Sequence, residues 1–138
     1  MRDHWEHFEH GADIGVRGLA ATKAGAFEQA ALAVTAVVAD PKAVMPRRAI
    51  EIDCRAEDDE LLLARWLNAV IGEMAARRML FSQFDVTLDG RRLHARAFGE
   101  AVSVRRHGPA VEPKGATCTE LRVEPVDDGW LAQTVVDV

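Results

Sequence analysis

The sequence is short of the features that most directly betray a protein's chemistry. It has two cysteines, Cys54 and Cys118, and neither belongs to a C-x-x-C pair. No disulfide framework is therefore encoded, and both read as reduced, small core residues of a cytoplasmic protein. No apolar run approaches the ~18 residues of a membrane span, and the opening Met1-Arg2-Asp3-His4-Trp5-Glu6 lacks the apolar segment of a signal peptide. A cationic excess is missing as well: 17 Lys and Arg stand against 22 Asp and Glu, a net charge of −5. That excludes a protein that grips a phosphate backbone by itself over a broad basic footprint, although Arg105-Arg106-His107 is a local basic cluster. The glycines at 11, 15 and 18 make neither G-x-G-x-x-G nor G-x-x-x-x-G-K-[ST], so neither standard nucleotide loop is present. Ser82 and Ser103 lack a G-x-S-x-G elbow.

What is present is a single domain, residues 1–138, with 49% hydrophobic and 28% charged residues, the balance of a soluble globular protein. A chain of this size buries roughly 68–70% of its unfolded surface. Residues 5–19 read as one or two strands. Thr22 caps a helix whose apolar stripe is Phe27, Ala30, Ala31, Val34, Val37 and Val38, closed by Asp40-Pro41. From Ala49 to Ala56, Ile50, Ile52, Cys54 and Ala56 alternate with Glu51, Asp53 and Arg55, a strand with one wet face. Glu57-Asp58-Asp59-Glu60 and Arg77-Arg78 complement the dipole at the two ends of a second helix. Its buried stripe is Leu62, Trp66, Ala69, Val70 and Met74, and Asn68 beside that stripe is either a surface amide or a cap for a neighbouring loop. The rest reads as β: a hairpin about Asp89-Gly90, with type I′ chemistry, and another about Asp127-Asp128-Gly129. Between them the longest irregular stretch runs from Arg105 to Lys114. The order predicts an α+β fold, two helices packed on antiparallel sheet.

Candidate chemistry is sparse. Ala12, Ile14 and Val16 alternate with Asp13, Gly15 and Arg17, so Asp13 is placed opposite the apolar face, flanked by small residues. Such a carboxylate is either a hard-cation ligand or an ordinary strand-end charge. His4, His7 and His10 recur at three-residue steps that suit a helix face, whereas their stretch reads as extended.

In chain order, His10-Gly11-Ala12-Asp13-Ile14-Gly15, the Leu61-Leu62-Leu63-Ala64-Arg65-Trp66-Leu67-Asn68 run, Leu80-Phe81-Ser82-Gln83-Phe84, Gly99-Glu100, Arg106-His107, Lys114-Gly115-Ala116-Thr117 and Trp130 to Val138 together resemble the archease family. The resemblance implies a single compact archease-type domain that is not itself an enzyme. It would be a cytoplasmic partner of an RtcB-type RNA ligase, promoting GTP-dependent guanylylation and repeated turnover in tRNA splicing or RNA repair. It further implies a divalent-cation site, Ca²⁺ or in function Mn²⁺ or Mg²⁺, at Asp13, Asp137 and Val138, with no tightly bound organic cofactor. RNA would be met only through the ligase, and no membrane is involved. Arg105, Arg106, His107 and Lys114 are the candidates for contact with the partner. Gly11 and Cys118 depart from the hydroxyl and aromatic residues usual in that family. Two other readings stay open: a chaperone-like binding protein, and a metal-dependent hydrolase using Asp13, Asp137 and His107.

Overall fold

Thr22 sets where the first strands stop and the first helix starts. Its Oγ1 accepts the Gly25 N–H at 2.9 Å, satisfying one of the donors that a helix leaves free at its beginning. The structure, a computed structural model, describes residues 1–138. Strands β1 (His4–His10) and β2 (Asp13–Ala20) precede helix α1 (Lys23–Val38). Then follow β3 (Arg48–Arg55), α2 (Asp59–Arg77), β4 (Met79–Asp89), β5 (Arg92–Ala101), a four-residue helix α3 (Val104–His107), β6 (Gly115–Ala116), β7 (Arg122–Val126) and β8 (Gly129–Asp137).

The α+β class and the antiparallel pairing are as the sequence predicts, with two additions: the third, short helix and a division of the strands between two sheets. The larger sheet has the order β1-β2-β8, and β6 and β7 share the far edge of β8. The smaller has the order β3-β5-β4. Helix α1 lies between them, against β2, β8 and β1 on one side and β4 on the other. It therefore buries Ala26, Ala33 and Thr35 as well as the expected stripe, and its many alanines keep it slim enough to fit. At Gly18 the fit is closest, since a Cβ there would stand 2.1 Å from the Ala26 carbonyl oxygen. The polar groups caught in this layer are paired: Thr35 Oγ1 donates to the Phe81 carbonyl at 2.7 Å, and the Trp66 indole N–H donates to the Phe27 carbonyl at 3.0 Å. These bonds tie α1 to β4 and α2 to α1, and they leave no orphaned polar side chain in the core.

Two local expectations are corrected. The β4–β5 turn has Gly90 and Arg91 at its centre, because Asp89 pairs with Arg92. Of the two only Gly90 has positive φ, +60°, which is the requirement of a type II′ turn and not of type I′. Cys118 is exposed, because β6 stops at Ala116 and no strand carries the thiol inward. Cys54 does behave as a half-buried core residue, and burial pushes its thiol up to about 11.

Candidate functional site

Strand register decides what meets at the open end of the larger sheet. β2 and β8 pair from Ile14 opposite Val136 to Ala20 opposite Trp130. One residue further out, the same register sets Asp13 opposite Asp137. Across β1 and β2, His10 pairs with Asp13; across β8 and β6, Asp137 pairs with Gly115. The rim therefore reads His10, Asp13, Asp137, Gly115 over four adjacent strands. Opposed residues share a face, and this face is the one away from α1, since Gly18 and its partner Ala132 point to the helix. Phe8 lies flat over Gly15 on the same face, its ring 2.4 Å from where a Gly15 Cβ would stand. Arg17 in turn sits over the Phe8 ring at 4.7 Å and donates to Gln133 Oε1 at 2.9 Å.

The rim carboxylates are half-buried and belong to none of the ion pairs of the chain. Lys114 is brought to the same place from a different direction: its backbone N–H donates to the Asp137 carbonyl at 2.8 Å. The short strand β6 that follows it is pinned from outside by Asn68, whose Oδ1 accepts the Ala116 N–H at 2.9 Å and whose Nδ2 donates to the Ala116 carbonyl at 3.2 Å. Asn68 is thus the cap of a neighbouring segment rather than an idle surface amide. No three His, Cys, Asp or Glu side chains converge as a closed metal cage. The His4, His7 and His10 spacing accordingly makes no zinc site, and the His7 Nε2 is spent on the Ala33 carbonyl at 2.7 Å. Inside the exposed His10 at its outer strand, what the rim offers is two carboxylates and main-chain oxygen. An all-oxygen, open set of this kind suits a hard cation that keeps water or takes phosphate oxygens as its other ligands.

Two of the other candidate residues, Arg106 and His107, meet at a carboxylate that the sequence did not single out chemically. Glu100 is buried, with its side chain 5% exposed. It accepts from Arg106 Nη2 at 2.8 Å and Nη1 at 3.2 Å, from Arg47 Nε at 3.2 Å and from the Met45 N–H at 2.8 Å. The His107 ring is fixed by two contacts. Its Nδ1 accepts the Ser103 N–H at 2.8 Å, so Nε2 carries the proton and donates to Glu100 at 3.0 Å. The Arg106 guanidinium first, then the Met45 N–H, hold the Glu100 carboxyl far below the usual carboxylate range. Of the four basic residues expected at a partner surface, His107 is therefore buried on Glu100 and Arg106 is bonded to it with its side chain still half exposed, while Arg105 and Lys114 are exposed and pair with no acid. Both ring nitrogens of His107 are occupied at Glu100 and Ser103, so the grouping of Asp13, Asp137 and His107 that a hydrolase would need is not formed. Glu100 escaped notice because its partners come from residues 45–47 and 103–107, and nothing in a lone Gly-Glu dipeptide announces them.

The profile of the Archease protein family (MTH1598/TM1083) matches residues 5–138. The archease of Thermococcus gammatolerans is 38% identical over 97% of this chain and 98% of its own length, and that of Sulfurisphaera tokodaii 34% identical with the same coverage. Among solved structures, Methanobacterium thermoautotrophicum protein 1598 superposes with a TM-score of 0.85 at 26% identity, covering 97% of this chain and 98% of that one. A Thermotoga maritima archease, described as a possible chaperone, shares the fold at a TM-score of 0.55 and 17% identity, over 99% and 94% of the two chains. With a family profile and relatives that match along nearly the whole chain, and with the same fold, the chain belongs to the archease family.

Proposed function

We propose that this protein is an accessory factor that activates an RtcB-type RNA ligase in tRNA splicing or RNA repair, and that its working end is the Asp13–Asp137 rim. The observation that carries the reading is that the β2–β8 register, continued one residue beyond Ile14 and Val136, sets two carboxylates opposite each other, and neither is in an ion pair of the chain. Like charges set side by side cost free energy when empty and favour a bound divalent ion. Asp13, Asp137 and a main-chain oxygen of Val138 would hold such an ion, Mg²⁺, Mn²⁺ or Ca²⁺, and Lys114 flanks them. A bound divalent ion would supply charge that offsets the phosphate oxygens of a nucleotide in the ligase. The chain's own residues set the position: the β2–β8 register fixes the spacing of the carboxylates, and the Lys114 N–H and the Asn68 clamp hold Asp137 and β6 together. No tightly bound organic cofactor is needed, and RNA is met through the ligase, consistent with a net charge of −5. No helix is long and apolar enough to cross a membrane, and the proposed work lies in the cytoplasm. The test is GTP-dependent guanylylation and RNA joining by the ligase of the same genome, with this protein added below stoichiometry. The expected result is more turnovers per ligase and no joining by this protein alone.

A further inference from the structure

Five large apolar side chains are exposed, and three of them, Val102, Val104 and Val111, fall on the single segment that Glu100 folds. Val104 is 78% exposed. It opens α3, whose start is capped by Ser103 Oγ accepting the Arg106 N–H at 3.2 Å and whose end is closed by Gly108 at φ +54°. Because Arg106 and His107 turn inward to Glu100, Val104 and Arg105 are left as the outward residues of that turn. Val102 and Val111 line one depression of about 630 Å³ together with the buried Ile71 and Met74 and the exposed Arg78. Arg47, 67% exposed, and Arg106, 49% exposed, border the same segment. Two acids belong to this segment, Glu100, already saturated with donors, and Glu112, which lines the depression. An acidic protein thus displays, along one segment, exposed valines among four arginines, Arg47, Arg78, Arg105 and Arg106. Arg47 and Arg106 share the one charge of Glu100, and apolar residues together with arginine are what protein interfaces favour. The bonds to Glu100 hold this surface in shape before any partner arrives, which lowers the cost of ordering it on binding.

We infer that the α3 segment is a docking surface for a partner protein whose matching face is an apolar ridge edged by carboxylates. This rests on the functional reading above and divides the labour: the α3 surface holds the ligase, and the carboxylate rim acts on it. Protein fits better than RNA, since the centre is aliphatic and gives a base no aromatic plane on which to stack. The experiment measures the affinity of the full-length protein for the ligase, for wild type, Val104→Asp and Arg105→Glu, across a salt series. Val104→Asp should raise Kd at least about tenfold, while its melting temperature and its cation affinity at the rim stay at wild-type values. Arg105→Glu should raise Kd by a smaller factor and flatten its salt dependence. A Val104→Asp protein that binds the ligase as tightly as wild type overturns this inference and leaves the functional reading standing. A wild type that neither binds nor activates the ligase overturns both. If Val104→Asp instead lowers affinity for single-stranded RNA and not for the ligase, the surface belongs to nucleic acid and the inference fails.

Discussion

Two groups of carboxylates sit at opposite extremes of commitment in this molecule. Glu100 is buried and surrounded by Arg106, His107, Arg47 and the Met45 N–H; every lone pair it can offer is in use. Asp13 and Asp137 face each other at a strand end and take part in none of the ion pairs of the chain. The first arrangement closes a loop and organises α3. The second has unspent acceptor capacity and is the one able to take a ligand. Composition alone makes these residues equivalent. What separates them is whether the fold brings donors to them.

The comparison is broken most severely at Glu100. Glu100→Ala should lower the melting temperature by several degrees, because it strands the His107 ring and two arginines that were packed around a charge. Glu100→Gln should do less harm at neutral pH and should also alter acid sensitivity. A folded pKa held below the ordinary value means stability that is present above the unfolded carboxylate range, about 4.3, and lost as pH falls beneath it. The gap in melting temperature between wild type and Glu100→Gln should accordingly be widest above about pH 5 and should narrow steadily as pH falls below about 4, while remaining open at about pH 3, as followed by thermal melts across that range.

The rim should give the opposite pattern. Asp13→Asn and Asp137→Asn should not lower the melting temperature of the cation-free protein and should raise it slightly by relieving repulsion. The same changes should weaken Mn²⁺ or Ca²⁺ affinity by at least about tenfold. In wild type, cation at a hundredfold excess over Kd should add about 2.7 kcal/mol of stability, read as an upward shift of the melt that both variants lose. The smallest effect is expected at Asn68. Asn68→Ala deletes two hydrogen bonds to Ala116 at an exposed site, about 1 kcal/mol, and should speed amide exchange at Lys114 and Ala116 more than at the core of β8.

The sequence carried much of this and concealed a definable part. Alternation in Ile50, Ile52 and Cys54 and in Phe84, Val86 and Leu88 placed β3 and β4 correctly, and Thr22 marked the start of α1, because those signals are local. The meeting of Asp13 with Asp137 was expected from family resemblance, and the β2–β8 register puts the two opposite each other. The second sheet was not legible: the stripe of α1 predicted one covered face, and only the packing shows that its small residues, Ala26 and Ala33, are covered too. Residues 105–107 read as irregular because a one-turn helix is too short to show a period. Three basic side chains in a row suggest outside contact, whereas Arg106 and His107 bond to Glu100, six and seven residues back. Glu100 itself has its other partners 53 and 55 residues away, a relation that no local pattern encodes.

The central claim is that the free carboxylates, not the saturated one, carry the activity. It is tested most directly by ligase turnover, counting RNA joins per ligase in the presence of wild type, Asp13→Asn, Asp137→Asn and Glu100→Gln, each below stoichiometry and at a temperature where all four are folded. The account predicts that the two rim variants fall to the turnover of ligase alone, although they melt no lower than wild type, while Glu100→Gln retains activation for as long as it stays folded. Full activation by Asp13→Asn and Asp137→Asn would contradict it.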